Sequence, residues 1–332
     1  MNDALEEIRF DLQPNRLKAK VSELDQDALN HFIRLVQSTG KIPSSSSLSP
    51  EELLQRVGGI VRDPKDGEYV LNNGAILFFG KTPDINSLCP NLWLDYTYAG
   101  ELDEKWGQRI TNKDLSCESN IFQFYSRTLN EILAHAPSPH LLNGVQDIGK
   151  RKVEEIVREA LANAISNLDL WEPYGLKIAQ TQKDILFVNA GTMIVPLQNA
   201  LLGGAFKPRN PALFSFFLAM GVSDHGGYGI PAIFDSCKEL GFIPPALSED
   251  KQENQTRLRI SFRRKERELT KDEQSILSLL AKARDGLSVQ EIAERSSFGR
   301  DKTRKIVEGL HDLGLIKSND KMTKGKKYFP AS

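Results

Sequence analysis

The chain has 332 residues, 40% of them hydrophobic and 26% charged, which fits a globular protein of two or three domains. Its formal net charge of −1 excludes a global attraction for nucleic acid or anionic membrane, so such binding must come from a local patch. Three widely spaced cysteines, Cys89, Cys117 and Cys237, exclude a disulfide framework or a cysteine metal cage and fit a reducing cytoplasm.

Residues 1–47 read as a connector. MNDALEEIRFD is acidic and lacks the apolar core of a signal peptide. FDLQPNRLKA is irregular, SELDQDALNHFIRLVQSTG is a helix with Ser22 as its N-cap, and IPSSSS is a flexible linker. Residues 48–149 read as a small α/β region. Ser49 caps the helix SPEELLQRVGGIV, with Pro50 at its first position. VLNNGAILFFG is apolar around a helix start at Asn-Asn-Gly, NLWLDYTYAG alternates as a strand, and NIFQFYSRTLNEILAHA is an amphipathic helix. Runs such as AILFF and LFSFFLAM are too short to span a bilayer, so no membrane partner is expected. His135 and His140, flanking Pro137 and Pro139, are expected at the surface.

Residues 150–264 carry the candidate chemistry. Val153, Ile156, Val157, Ala160, Leu161, Ala164, Ile165 and Leu168 recur at i, i+3, i+4 and predict a helix with one apolar face. Glu155, Glu159, Asn163 and Asn167 form a second stripe, with Asn163 roughly 110° from the centre of the apolar one. A carboxylate one turn from an amide, at the rim of a buried face, is a place to hold a cation or polarise a water. LKIAQTQ and KDILFVN alternate as a hairpin turning near Gln182 to Asp184 and ending in Asn189-Ala190-Gly191. The helix NPALFSFFLAMG follows, with Asn210 as cap. A glycine loop containing Gly226, Gly227 and Gly229 then starts the helix PAIFDSCKELGF; it reads either as backbone amides offered to a phosphate or, more simply, as a turn. RLRISFR closes the region as a third strand, giving helices on one face of an antiparallel sheet. Lys207 and Arg209 read more simply as loop decoration than as a phosphate clamp. Asp224 and His225 have no partner in view and read as exposed.

Residues 265–332 differ in character. From Arg263 on, 17 Lys/Arg oppose 11 Asp/Glu. The pattern is helix, helix, helix and basic tail, with Ser288 capping the second helix, Gly299 opening the third and Gly314 ending it. This resembles winged helix–turn–helix domains. The resemblance implies that Arg300, Lys302, Thr303, Arg304 and Lys305 begin a recognition helix, and that Lys321, Lys324, Lys326 and Lys327 form a wing against double-stranded DNA. A dimerisation element is the other reading.

REALANA at 158–164, VNAG at 188–191, KPRNP at 207–211 and GYGIP at 227–231 occur in the order found in Bergerat-type (GHKL) ATP-binding domains. More narrowly, they resemble the C-terminal domain of a bacterial and archaeal family of transcriptional regulators, labelled RecG-related, that often carries an N-terminal Schlafen-type AlbA domain. VLNNGAILFFGK resembles a further segment of that family, and FDLQP resembles the connector that the resemblance implies follows an AlbA domain. The resemblance implies an ATP and magnesium site in which Glu159 activates water, Asn163 binds magnesium, and Gly227 and Gly229 meet phosphate. Asn189 and Gly191 stand where the family's larger group has an Asp-x-Gly motif for adenine, so its carboxylate is replaced by an amide. Asn167-Leu168-Asp169 replaces a usual His-Arg-Asp.

The expected fold is therefore α+β in four segments: 1–47, 48–149, a Bergerat-like 150–264 and a winged helix 265–332. The expected function is a cytoplasmic, dimeric DNA-binding regulator with a degenerate nucleotide- or ligand-sensing domain. The alternatives are a magnesium-dependent ATPase using Glu159 and Asn163, and a protein-interaction scaffold. No Walker-type phosphate loop occurs, so the chain holds no helicase motor of that kind.

Overall fold

The computed structural model describes residues 10–43, 47–100, 107–137, 139, 142–143, 146–205, 207–223, 227–264, 269–283, 285–312, 314–319 and 325–330. The chain divides into two compact units, residues 1–265 and 266–332. The first contains α1 (Gln26–Thr39), α2 (Pro50–Arg56), β1 (Ile60–Arg62), β2 (Tyr69–Leu71), α3 (Asn73–Phe79), α4 (Thr82–Leu88), β3 (Leu94–Tyr98), β4 (Gln108–Thr111) and α5 (Ile121–His135). It continues with β5 (Leu142–Asn143), β6 (Gln146–Asp147), α6 (Gly149–Ser166), β7 (Leu176–Gln180), β8 (Asp184–Ala190), α7 (Leu197–Leu202), α8 (Pro211–Ala219), α9 (Gly229–Glu239), β9 (Ala246–Asp250) and β10 (Gln255–Ser261).

Six strands form the central sheet in the order β4-β3-β7-β8-β10-β9. The hairpin β7–β8 pairs Ile178 with Phe187, and β8–β10 pairs Phe187 with Leu258. Alternation explains which face is covered: Leu176, Ile178, Ile185, Phe187, Leu258 and Ile260 are buried, while Lys177, Ala179 and Arg259 on the other face are exposed. Within residues 150–264 the strands β7, β8, β10 and β9 pair antiparallel, as expected; the full sheet is mixed because β3, from the preceding segment, runs parallel to β7. Parallel neighbours need a long crossover, and α5 lies within it. That pairing also joins segments 48–149 and 150–264, which the sequence reading keeps apart, into one unit.

A cluster of phenylalanines consolidates the unit. Phe32 of α1, Phe78 and Phe79 of α3, Phe122 of α5 and Phe216 of α8 meet with ring centroids 4.8–6.4 Å apart. Such rings favour edge-on contacts and add roughly 0.5–1.5 kcal/mol per pair beyond burial. Residues 10–39 are thus core, not connector.

Two caps are corrected. Ser22 lies in a short 3-10 turn, and α1 is capped by Asp25, whose carboxylate accepts from the Asp27 and Ala28 N–H groups at 3.1 Å and from the Asn120 and Gln123 side chains. Asn210 makes no side-chain cap on α8; its amide donates to the Leu168 carbonyl. Asp11 supplies the cap from 201 residues upstream, accepting from the N–H groups of Ala212 at 2.6 Å and Leu213 at 3.1 Å. Asp11 is fully buried, and burial pushes its carboxyl up to about 7 against the pull of those N–H groups. His135 is half-buried, stacked on Tyr98 at 3.8 Å and 3.2 Å from Glu131. His140 lies outside the described residues.

The second unit contains α10 (Lys271–Lys282), α11 (Val289–Ser296), α12 (Arg300–Asp312) and the hairpin β11 (Ile316–Ser318) with β12 (Tyr328–Pro330). Ile276, Leu280, Leu287, Ile292, Val307, Leu310, Ile316 and Tyr328 form its core. Reciprocal Thr270–Glu273 and Ser288–Glu291 capping boxes start α10 and α11. Leu287 bridges to Tyr328, adding a third short extended segment beside the hairpin. Among the described residues, no helix is long and apolar enough to cross a membrane. The three cysteines are free thiols.

Candidate functional site

The α6 helix buries Val153, Ile156, Val157, Ala160, Leu161 and Ile165, and its polar stripe borders a cleft. Asn163 Nδ2 donates to Glu159 Oε1 at 2.6 Å and to the Glu159 carbonyl at 3.1 Å, as the one-turn spacing demands. Asn167 Nδ2 donates to the Asn163 carbonyl at 2.9 Å. The other Glu159 oxygen, Oε2, accepts from the buried Ser223 hydroxyl at 3.2 Å. Both carboxylate oxygens are therefore held in place. The start of α9 presses on the same spot: a Cβ on Gly229 would land on Glu159 Oε1 and lie 2.9 Å from Asn163 Nδ2. Only glycine lets the backbone approach so closely.

The floor of the cleft is the covered face of the sheet. Along β8 and β10 the cross-strand pairs run Ile185 with Ile260, Phe187 with Leu258, then Asn189 with Thr256. The last pair is polar at a core position. Thr256 Oγ1 donates to the Gly191 carbonyl at 2.8 Å and is satisfied. Asn189 is only 6% exposed, and its Oδ1 has no hydrogen-bond partner. An unsatisfied buried acceptor costs about 1–3 kcal/mol, which a ligand N–H would recover.

The third wall is the loop before α8. Lys207 and Arg209 both line the cleft, but differ in role. Arg209 is half-buried, 3.4 Å from Asp169 and donating to the Thr192 carbonyl at 2.8 Å, so it ties the loop to the end of β8 instead of decorating it. Gly191, at φ 93°, makes that tie fit: a Cβ there would lie 2.9 Å from the Asp169 Cβ and 3.0 Å from Arg209 Nη2. Lys207 stays exposed.

Glu159, Asn163, Asn189, Gly227 and Gly229 thus line one cleft, although 70 residues separate the first from the last. Gly191 sits behind its wall and shapes it. Ser223, Thr256 and Phe187 were not singled out as site residues from sequence; for the last two, the period-two alternation of β8 and β10 was the available signal. Asp224, His225 and Gly226 lie outside the described residues. No cluster of three or more metal-ligating His, Cys, Asp or Glu residues occurs among the described residues.

In the second unit, Arg300, Arg304 and Lys305 are exposed on α12. Lys302 is exposed but committed: its ammonium lies 2.7 Å from Asp272 and over the Phe298 ring at 4.6 Å. Thr303 is fully buried, which corrects its expected DNA contact; it is one turn from Val307 and shares that core-facing stripe. Lys326 lies over the Tyr328 ring at 5.5 Å, and Lys327 is half-buried. Lys321 and Lys324 lie outside the described residues.

Comparison with known proteins agrees with the centre of this layout. Residues 176–260 match the family described as "Putative ATP-dependent DNA helicase recG C-terminal", an ATPase-like domain. The match takes in Asn189, Gly191, Gly227 and Gly229 but begins after Glu159 and Asn163. Residues 7–95 match a domain of unknown function, DUF8451. No curated protein sequence matches the chain. Among solved structures, the DIP2311 protein from Corynebacterium diphtheriae is similar in fold, with a TM-score of 0.59 at 18% identity over 97% of this chain. This chain spans 64% of that one.

Proposed function

We infer that this protein is a nucleotide-sensing, DNA-binding regulator: residues 10–264 hold the nucleotide in a Bergerat-like cleft, and residues 269–330 form a winged helix that grips duplex DNA. The observation that carries the reading is the convergence of Glu159, Asn163, Asn189, Gly227 and Gly229 on one cleft with an unsatisfied acceptor in its floor. The groups present fit the ligand. Asn189 meets a base, and the N-terminus of α9 and Lys207 meet the phosphates. With Nδ2 committed to Glu159, Asn163 has Oδ1 as the atom that would hold a magnesium ion. Such an ion would neutralise phosphate charge when bound.

Support for the DNA half comes from Arg300, Arg304 and Lys305, which stand on the exposed face of α12 while Thr303, Val307 and Leu310 face the core. Titrating labelled duplex DNA at 50–200 mM salt tests it. Affinity should fall steeply with salt, and Arg300→Ala with Arg304→Ala should lower the slope of log K against log salt by about 2. An unchanged slope would remove α12 from the interface.

A second reading, ATP hydrolysis, is favoured by the two-sided hold on Glu159. A carboxylate fixed at the rim of a phosphate site is placed to orient and deprotonate water. In that case Glu159→Gln abolishes magnesium-dependent phosphate release while nucleotide binding survives. Binding lost together with turnover would reduce Glu159 to a structural brace.

A further inference from the structure

Asn189 differs from every other polar group on the cleft floor: it is built into the sheet, buried, and left without a partner. Its neighbour Thr256 is satisfied by the Gly191 carbonyl, and the pairs behind it are apolar. Among the described residues no hydrogen bond to the Asn189 side chain is formed, so the amide holds neither of its faces fixed. A primary amide offers one acceptor and two donors, whereas a carboxylate at the same place offers acceptors alone. Phe187 and Leu258 from the sheet and Ile230 from α9 line the same cleft and offer apolar surface for a flat ring. A flat heterocycle carrying an adjacent donor and acceptor on one edge satisfies such a site, and the amide can present itself in either sense.

We propose that Asn189 makes this cleft tolerant at position 6 of a purine, so that 6-amino and 6-oxo purine nucleotides both bind. In one orientation Oδ1 accepts from the 6-amino group and Nδ2 donates to ring N1. In the flipped orientation Nδ2 donates to the 6-oxo oxygen and Oδ1 accepts from the protonated N1. The two arrangements use the same atoms and the same number of hydrogen bonds. A carboxylate makes only one of the two bonds with either base: it accepts from the 6-amino group or from the protonated N1, but has no donor for the unprotonated N1 or for the oxo oxygen. The inference rests on the nucleotide reading above and adds the base specificity to it.

The test compares ATP with ITP, which differ at position 6 and in N1 protonation but not at position 2, by calorimetric titration of the full chain with magnesium. The wild type should bind both within about tenfold. Asn189→Asp removes the donor that both arrangements need, so it should weaken ATP and ITP alike, each by roughly tenfold or more. Wild-type rejection of ITP by more than about a hundredfold would overturn the inference while leaving the nucleotide cleft intact, as would wild-type affinity for both nucleotides in Asn189→Asp. Absence of binding by either nucleotide would overturn the nucleotide reading itself. Asn189→Leu guards against a misfolded aspartate variant. It removes the unsatisfied amide, so the ligand-free protein should melt no lower than wild type while affinity for both nucleotides drops at least tenfold. Retained affinity in that variant would show that the base is read elsewhere.

Discussion

At the scale of single residues, two positions matter most, one in the site and one in the core. Gly229 brings α9 against Glu159, so Gly229→Ala forces a carboxylate, an amide or the helix start to move. A loss of about 1–3 kcal/mol in thermal stability is expected, together with loss of nucleotide binding. Asp11 is the second case. Its folded-state pKa lies above the usual aspartate value, so between about 4 and 7 the native protein binds more protons than the unfolded chain. Stability from this group therefore falls as pH rises through that window, and its full cost is present above about 7. Asp11→Asn keeps an acceptor for the Ala212 and Leu213 N–H groups, so the drop in melting temperature between pH 5 and 8 should be smaller than in wild type. Equal slopes in the two proteins would assign the pH dependence to other groups. Glu159 and Asn163 were legible because their spacing alone puts them on one helix edge. Asp11 was not, because its partners lie 201 residues away and nothing local in FDLQP reveals a capping role.

At the scale of elements, helices with strong local signals were the readable part. Ser49, Ser288 and Gly314 mark helix ends where the structure has them. Ser22 failed because Asp25 offers a carboxylate to two backbone and two side-chain donors, a tertiary advantage that propensity does not contain. The strands β4 and β9 were missed: QRIT is short, and ALSED is polar at a sheet edge, where burial imposes no alternation. Two substitutions test the small unit. Ser288→Ala breaks the capping box of α11 and should destabilise residues 269–330 by about 1 kcal/mol, read from hydrogen exchange of Ile292. Thr303→Val replaces a buried hydroxyl that has no partner with an apolar isostere and should leave DNA affinity unchanged. A large loss of affinity would mean that α12 turns a different face to DNA.

At the scale of the whole molecule, the near-zero net charge conceals a division. The small unit, from Glu266 on, has 14 Lys/Arg against 11 Asp/Glu, leaving 29 against 33 for the rest of the chain. Electrostatic attraction for a polyanion is thus confined to the small unit, and a net-charge argument on the full chain misses it. The joining of 48–149 with 150–264 was equally hidden, since no local pattern encodes a parallel β3–β7 pairing across 82 residues. Because one sheet and one core span both segments, hydrogen exchange should show β3 and β8 opening together in a single cooperative event. Separate opening of the two strands would contradict the shared core.

The phenylalanine cluster bears on how the protein is made. Phe32, Phe78 and Phe79 are complete early in synthesis, yet Phe216 and the backbone groups that Asp11 caps are added about 135 residues after Phe79. At about 5–20 residues per second on the ribosome, that delay is roughly 7–27 s. Throughout it the emerging polypeptide carries an oily patch whose lid has not yet been translated, which makes the half-finished chain a natural client for cotranslational holding factors.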